Sequence, residues 1–228
     1  MNLFNKKILF LKQFITDKRW DNFLKILDER TNYLTIILED IYHEHNISAC
    51  LRSADCFGIQ NVNIIEQKHS FKDNKEISMG ASKWINIKKH RRTISAIKKL
   101  KKEGYKIVLT SPHNTEKTIF DDSLIEDKVA ILFGSEVNGY SNDAQKLADE
   151  FISIPMYGFT ESYNVSVAVA LTLQQFTNQL RKSKVNWQLC QDEKNKILQD
   201  WLKKSIKSSE MLEKKFDSNH TLSRLSFK

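Results

Sequence analysis

All six glycines (Gly58, Gly80, Gly104, Gly134, Gly139 and Gly158) and both prolines (Pro112 and Pro155) of this 228-residue chain fall between positions 58 and 158. Tight turns are built mainly from these residue types, so they are expected only in the middle of the chain. There, short apolar runs alternate with helical stretches. Residues 34–38 read as a strand, 47–57 as a helix ending at Gly58, 62–65 as a second strand and 85–87 as a short third. A basic helix over 93–102 ends at Gly104 and leads into a strand over 106–110. Residues 129–133 form an apolar strand closed by Gly134, and Ser141 is placed to cap a helix through Leu147. Residues 151–154 make the last strand, and a long apolar helix follows from about Ser162 to Leu180. Strands alternating with helices predict an α/β fold, a parallel sheet with helices on both faces.

The ends differ from the middle. Residues 1–30 carry 7 Lys/Arg against 4 Asp/Glu, and 180–228 carry 12 against 6. The middle is nearly neutral, with 17 against 18, so the ends supply the excess that gives the chain its +8. In the first, Phe4, Ile8, Leu11 and Ile15, then Phe23, Leu24 and Leu27, recur at helical spacing. In the last, Ile197, Leu198, Trp201, Leu202 and Ile206 do the same. These boundaries predict a basic helical extension over 1–30, a central domain over 31–180 and a second basic helical extension over 181–228. Residues after about Phe216 are polar and expected to fray. Basic arms on a neutral core suit a nucleic-acid binder, and they equally suit solvated helices kept charged for solubility.

No apolar run is long enough to span a bilayer, and the apolar stretch after Lys6 and Lys7 is broken at Lys12 without a cleavage site. Cys50, Cys56 and Cys190 form no CxxC pair, and their odd number does not suit a disulfide framework. The expectation is a cytosolic protein, with no membrane partner.

Ligands of parallel sheets bind beyond the carboxyl ends of the strands. Three loops there carry polar clusters: HEHNISACLR after Leu38, GSEVNGYS after Phe133 and GFTESYN after Ile154. The last leads into a helix, whose first N–H groups lack partners within it and favour an anionic or hydrogen-bonding ligand. No G-x-G-x-x-G occurs. Gly134 and Gly139 have P-loop spacing, but Tyr140 and Ser141 stand where Lys and Ser/Thr are needed. His43 and His45 lack a third ligand nearby in sequence, so no metal is expected. Ser162 has no nucleophile elbow. A helix starting at Ile47 would make Asn46 its N-cap. Arg52 lies among small and apolar residues, either as an ion-pair partner of Asp55 or Glu44 or as a phosphate clamp. Spacing alone does not choose.

Three ordered segments, NISACLRSADCFG (46–58), ILFGSEVNGYS (131–141) and IPMYGFTESYNVSVA (154–168), together resemble the motifs of the SpoU/TrmH family of RNA 2′-O-ribose methyltransferases. MGASKW (79–84) fits the region between the first two. The resemblance covers roughly residues 31–180. Among the subfamilies, the short basic N-terminal segment and basic C-terminal helix look most like the tRNA (guanosine-18-2′-O)-methyltransferases. Thirty residues before the first strand are too few for the extra N-terminal domain that related ribosomal-RNA enzymes often carry.

The resemblance implies a SPOUT-type sheet whose C-terminal part is threaded as a trefoil knot, which general topology rules would disfavour. It implies S-adenosylmethionine as cofactor, held by loops at Thr110, Gly134, Ile154 and Tyr163. It implies tRNA as substrate, and a homodimer whose interface would use the apolar face of 165–176. The functional residues it carries over are Asn46, Arg52, Glu136, Ser162 and Asn164. Arg52 would bind RNA phosphate and stabilise the developing 2′-oxyanion, held by Asn46. Tyr163 departs from the usual Leu of the third segment, which a main-chain contact would tolerate. Ribosomal RNA or another tRNA position is the alternative substrate, and a silent RNA-binding relative a further one.

Overall fold

The computed structural model describes residues 3–71, 74–112 and 117–225. The elements run α1 (Leu3–Lys12), α2 (Asp17–Asp28), β1 (Leu34–Glu39), α3 (Glu44–Cys56), β2 (Asn61–Ile65), α4 (Lys75–Ser78), β3 (Asn86–His90), α5 (Thr93–Lys102), β4 (Tyr105–Thr110), β5 (Lys128–Phe133), α6 (Asn142–Leu147), β6 (Glu150–Ile152), α7 (Val165–Lys182), α8 (Gln191–Ser205) and α9 (Ser209–Leu225). Single 3-10 turns occupy Ala81–Lys83 and Asp122–Ile125.

Residues 31–188 form one compact unit around a six-stranded sheet of order β3-β2-β1-β5-β4-β6. Every pairing is parallel. Strands β1 and β5 pair at its centre, Leu34 opposite Val129 and Leu38 opposite Phe133. Both are covered on two faces, which explains their nearly unbroken apolar sequence. Leu34, Ile36, Leu38, Val129, Ile131 and Phe133 point to one layer with Ile47 and Leu51 of α3 and Val169, Leu173 and Phe176 of α7. Ile37, Ala130 and Leu132 point to the other, with Ala96, Ile97 and Leu100 of α5 and Ala144 of α6. The two-residue alternation of a strand thus assigns each side chain its layer, and helices cover both faces as expected.

Several boundaries shift. Helix α3 starts at Glu44, three residues before the expected Ile47, and its N-cap is His43, so Asn46 is a first-turn residue. Strand β3 lies at Asn86–His90 and β6 ends at Ile152. Helix α7 starts at Val165, where Asn164 is the N-cap and accepts from the Ser166 N–H at 2.9 Å. Ser162 therefore lies in the loop. Ser141 caps α6 as expected, accepting from the Ala144 N–H at 3.1 Å.

The second compact unit combines described residues of Met1–Arg30 and Leu189–Lys228. Ile8, Leu11, Phe23, Leu27, Leu198, Trp201 and Leu202 form its interior, while Leu24, expected on the same stripe, is exposed. Phe23 packs edge-on against Trp201 at 5.5 Å. Helix α9 runs on to Leu225, past the point where fraying was expected. Lys7 pairs with both Glu213 and Asp217, at 3.2 and 3.1 Å. Among the described residues no helix is long and apolar enough to cross a membrane.

Candidate active site

Strand order decides which loops can meet. β1 and β5 are neighbours, and the chain leaves β1 toward β2 on one side but crosses to β4 and β5 on the other. Such a reversal opens a crevice beyond the carboxyl ends. A cavity of about 660 Å³ lies at the carboxyl ends on the β5-β4-β6 side of that reversal, in the size range of sites for small organic ligands. Its wall is residues 110–112 after β4, 133–140 after β5, Ile154 and Met156 after β6, and 161–165 with Ala168 at the start of α7.

The loop after β5 is folded tightly on itself. Ser135 and Gly139 exchange two main-chain hydrogen bonds, each 2.9 Å, and the Ser135 hydroxyl accepts from the Asn138 N–H at 3.1 Å. Gly139 has φ +63°, and a Cβ at Gly134 would fall on the backbone of Gly139 and Tyr140. Only glycine fits position 134 with the loop closed this way.

A buried carboxylate anchors the far end of this loop. Glu39, 2% exposed at the end of β1, accepts from the Ser141 N–H at 2.9 Å and the Ser141 hydroxyl at 2.7 Å. It also accepts a short hydrogen bond from Thr93 at the start of α5. The next residue, Asp40, adopts φ +47°. Its carboxylate accepts from the Gln67 and Lys68 N–H groups at 2.7 and 2.8 Å, holding a turn that few non-glycine residues make.

Thr110, Gly134, Glu136, Ile154, Ser162, Tyr163 and Asn164, all singled out from sequence, line this one cavity. The Thr110 hydroxyl is already used within the sheet, donating to the Leu132 carbonyl at 3.1 Å. The Tyr163 hydroxyl donates to the Pro155 carbonyl at 3.3 Å and ties the two ends of the loop after β6. Ser162 is exposed and its hydroxyl has no hydrogen-bond partner among the described residues.

Side chains from the three separate segments are joined beside the cavity, with Glu136 and Asn164 in its wall and Asn46 outside it. The Asn46 amide donates to Glu136 Oε1 at 2.5 Å, and the Tyr42 N–H donates to Glu136 Oε2 at 3.3 Å. Asn46 Oδ1 accepts from Asn164 Nδ2 at 3.3 Å. Asn164 Oδ1 accepts from the Ser166 N–H and, at 2.6 Å, from the Ser166 hydroxyl. Glu136, Asn46 and Asn164 therefore form one connected chain across α3, the β5 loop and the start of α7. A sequence profile of the SpoU rRNA Methylase family matches residues 33–174, the stretch that contains all three.

The chain belongs to the SpoU rRNA Methylase family.

Relatives in this SpoU family match well beyond the site. A tRNA (guanosine(18)-2′-O)-methyltransferase of Borreliella burgdorferi is 38% identical over 213 residues, 93% of this chain and 97% of the relative. An enzyme of the same name from Thermus thermophilus is 32% identical over 191 residues, 83% of this chain and 98% of the relative. The crystal structure of the Aquifex aeolicus TrmH/SpoU tRNA modifying enzyme superposes with a TM-score of 0.74 at 29% identity, covering 84% of this chain and 98% of that one.

Arg52 is placed differently from the other SpoU motif residues. It is exposed on α3, does not line the cavity, and has no hydrogen bond or ion pair among the described residues. Asn46 does not hold it: among the described residues the Asn46 amide bonds to Glu136 and Asn164 and not to Arg52. Nor does it pair with Glu44 or Asp55. The apolar face of α7 expected at a dimer interface is likewise used inside the chain. Val165, Val169, Leu173 and Phe176 are buried in the core layer shared with α3, and Val167 and Leu171 are the exposed apolar residues of that helix.

Sequence reasoning passed over Glu39 and Tyr42. The first had a signal, a lone carboxylate closing an otherwise apolar central strand. The second contributes its main-chain N–H to Glu136, which no residue pattern reveals. Among the described residues no cluster of His, Cys, Asp and Glu is placed to hold a metal.

Proposed function

We propose that this SpoU-family chain is an S-adenosylmethionine-dependent tRNA methyltransferase that modifies the ribose 2′-hydroxyl of the D-loop guanosine at position 18. The observation that carries the reading is the connected chain of Glu136, Asn46 and Asn164 beside the cavity. Relatives named for this reaction match over 97% and 98% of their own length, which favours tRNA over ribosomal RNA.

The cavity suits the cofactor. It offers loop backbone at Thr110, Gly134, Ile154 and Tyr163, closely folded at Gly134, and the charged side chains in its wall are two carboxylates, Glu136 and Glu161. Those four residues would hold it. When bound, it supplies an electrophilic methyl carbon on a sulfonium sulfur. This chain has to bring a ribose oxygen in line with that carbon, and such positioning is a large part of catalysis in a transfer of this kind. As O–CH3 forms, the ribose O–H bond and the methyl–sulfur bond would both break, the sulfur keeping that bonding pair as a neutral thioether and the one proton leaving the ribose.

Arg52 cannot take that proton, because a guanidinium in a protein stays protonated. It binds an RNA phosphate, stabilises the oxygen as negative charge develops, and leaves the proton to the phosphate or water. Its exposed guanidinium, without a hydrogen bond or ion pair among the described residues, supports this role in a partner's site. The protein would act as a homodimer in which Val167 and Leu171 of α7 contact the second copy and each copy lends Arg52 to the other's cavity. Asn46, Glu136 and Asn164 order the cavity wall, and Ser162 offers its exposed hydroxyl to cofactor or ribose. The C-terminal part of the sheet is threaded as the family's trefoil knot. Main-chain bonds lacing the exits of β4 and β6, Ser111 N–H to the Ile152 carbonyl and Ser153 N–H to the Lys117 carbonyl at 2.9 Å each, support that threading. The basic helices α1, α2, α8 and α9 would hold tRNA through its phosphates.

Methyl transfer from labelled cofactor to an unmodified tRNA transcript tests the reading, run beside the same transcript carrying 2′-deoxyguanosine at position 18. Label should enter the first and not the second. Equal labelling of both would remove that 2′-hydroxyl as the acceptor.

A further inference from the structure

Four rings gather beside the cavity, outside every role described above. Tyr42, in the turn between β1 and α3, lies edge-on to His43 with ring centroids 4.8 Å apart, and edge-on to His69 at 5.1 Å. His43 stacks on His45 at 5.2 Å with the planes 14° apart. Two separate segments supply them, the turn after β1 running into the first turn of α3, and the loop after β2. Tyr42 is 56% exposed, and His43 and His45 are exposed as well. The Tyr42 N–H bonded to Glu136 fixes the cluster at the rim of the cavity.

We propose that this cluster is a stacking surface for an RNA base next to the ribose that receives the methyl group. The proposal rests on RNA being the substrate. A ribose inside folded RNA reaches a protein cavity only if its neighbours unstack, and aromatic side chains replace the lost stacking without reading sequence. Tyr42 is already held in place by rings on two sides, so less freedom is lost when a base settles on it. Among the carboxylates near the rings, Glu136 has both oxygens engaged and Asp40 accepts from the Gln67 and Lys68 N–H groups, while Glu44 is exposed between His43 and His45, so the surface offers RNA ring faces rather than a phosphate site. A protein partner fits less well, because the other three rings are imidazoles, whose polar rims interrupt any apolar patch. Among the described residues these imidazoles are not arranged to hold a metal.

Three proteins test this: wild type, Tyr42→Phe and Tyr42→Leu. The measurements are tRNA binding by fluorescence anisotropy, S-adenosylmethionine binding by calorimetry, and thermal melting. Tyr42→Leu should weaken tRNA binding on the order of tenfold, the effect of losing one stacked base. It should keep cofactor affinity within about twofold and melt with the wild type. Tyr42→Phe should bind tRNA as the wild type does. Unchanged tRNA binding by Tyr42→Leu overturns the proposal. So does a parallel loss of cofactor binding, which marks a structural role, or an equal loss in Tyr42→Phe, which marks the hydroxyl. Wild type that fails to bind tRNA removes the substrate reading itself, and the stacking surface with it.

Discussion

Asn46 and Glu136 stand 90 positions apart in the chain and share a hydrogen bond of 2.5 Å. Asn46 is the centre of the arrangement, because its amide donates to one segment and accepts from another. Removing it breaks both links and leaves the Glu136 carboxylate with the Tyr42 N–H. A hydrogen bond to a charged group is worth about 1.5–3 kcal/mol, which corresponds to a factor of about ten to a hundred in rate if expressed in the transition state. Asn46→Ala should slow methylation by that factor. Asn46→Asp, which sets a second carboxylate against Glu136, should slow it further. Steady-state kinetics on a tRNA transcript checks the order; an aspartate variant faster than the alanine variant would contradict it.

Two glycines on the cavity loops should respond oppositely to the same added methyl group. At Gly134 a Cβ meets the backbone of Gly139 and Tyr140, so the loop after β5 must open. At Gly158 nothing lies within 4 Å. Gly134→Ala should lose most cofactor affinity by calorimetry, and Gly158→Ala should keep it, with stability unchanged to about 0.5 kcal/mol. Equal affinities in the two variants would separate the closed loop from cofactor binding.

Glu39 is a positioning residue on this account, touching Ser141 and Thr93 and no ligand. Truncation leaves buried donors unpaired at about 1–3 kcal/mol each. Glu39→Ala should therefore melt earlier and bind cofactor more weakly, through loss of the anchor beneath residues 134–141. Glu39→Gln, which keeps one acceptor oxygen, should fall between it and wild type. A melting loss with intact cofactor affinity would confine Glu39 to fold stability.

His90, at the end of β3, places Nε2 2.9 Å from Asn63 Oδ1, and Asn63 donates in turn to Thr35 at 3.1 Å. Burial first, then Lys99 and Lys88, hold the imidazole below its usual 6.5, with Glu103 opposing them. Because the folded value is lowered, the unfolded chain takes up the proton first as pH falls. The stability from this group is complete above 6.5 and declines as pH drops from there toward the folded value. The urea midpoint should be lower at about pH 5.5 than at about pH 8, and His90→Gln should shrink the difference. An equal difference in the variant would assign it to other groups.

The sheet was legible because its central strands are apolar on both faces. Residues 34–38 and 129–133 read as buried strands from composition alone, and Gly104 and Ser141 marked helix ends through their local backbone chemistry. The start of α3 was misread because His43, Glu44 and His45 look like loop, and the His43 N-cap makes no side-chain hydrogen bond that would identify it. Segment by segment, the polar clusters were ambiguous. Their convergence depends on β1 lying beside β5, which no local pattern encodes, so the link from Asn46 to Glu136 appears only in three dimensions. Arg52 shows the opposite limit. Its type suggested a phosphate clamp, but its partners, expected to be Asn46 or a nearby carboxylate, are absent among the described residues.

The most direct test is to incubate the purified protein with an unmodified tRNA transcript and S-adenosylmethionine, digest the RNA, and map methylated nucleosides by mass spectrometry. The account predicts 2′-O-methylguanosine in the D-loop fragment and nowhere else. A D-loop fragment that stays unmethylated, or one methylated on the guanine base, would contradict it.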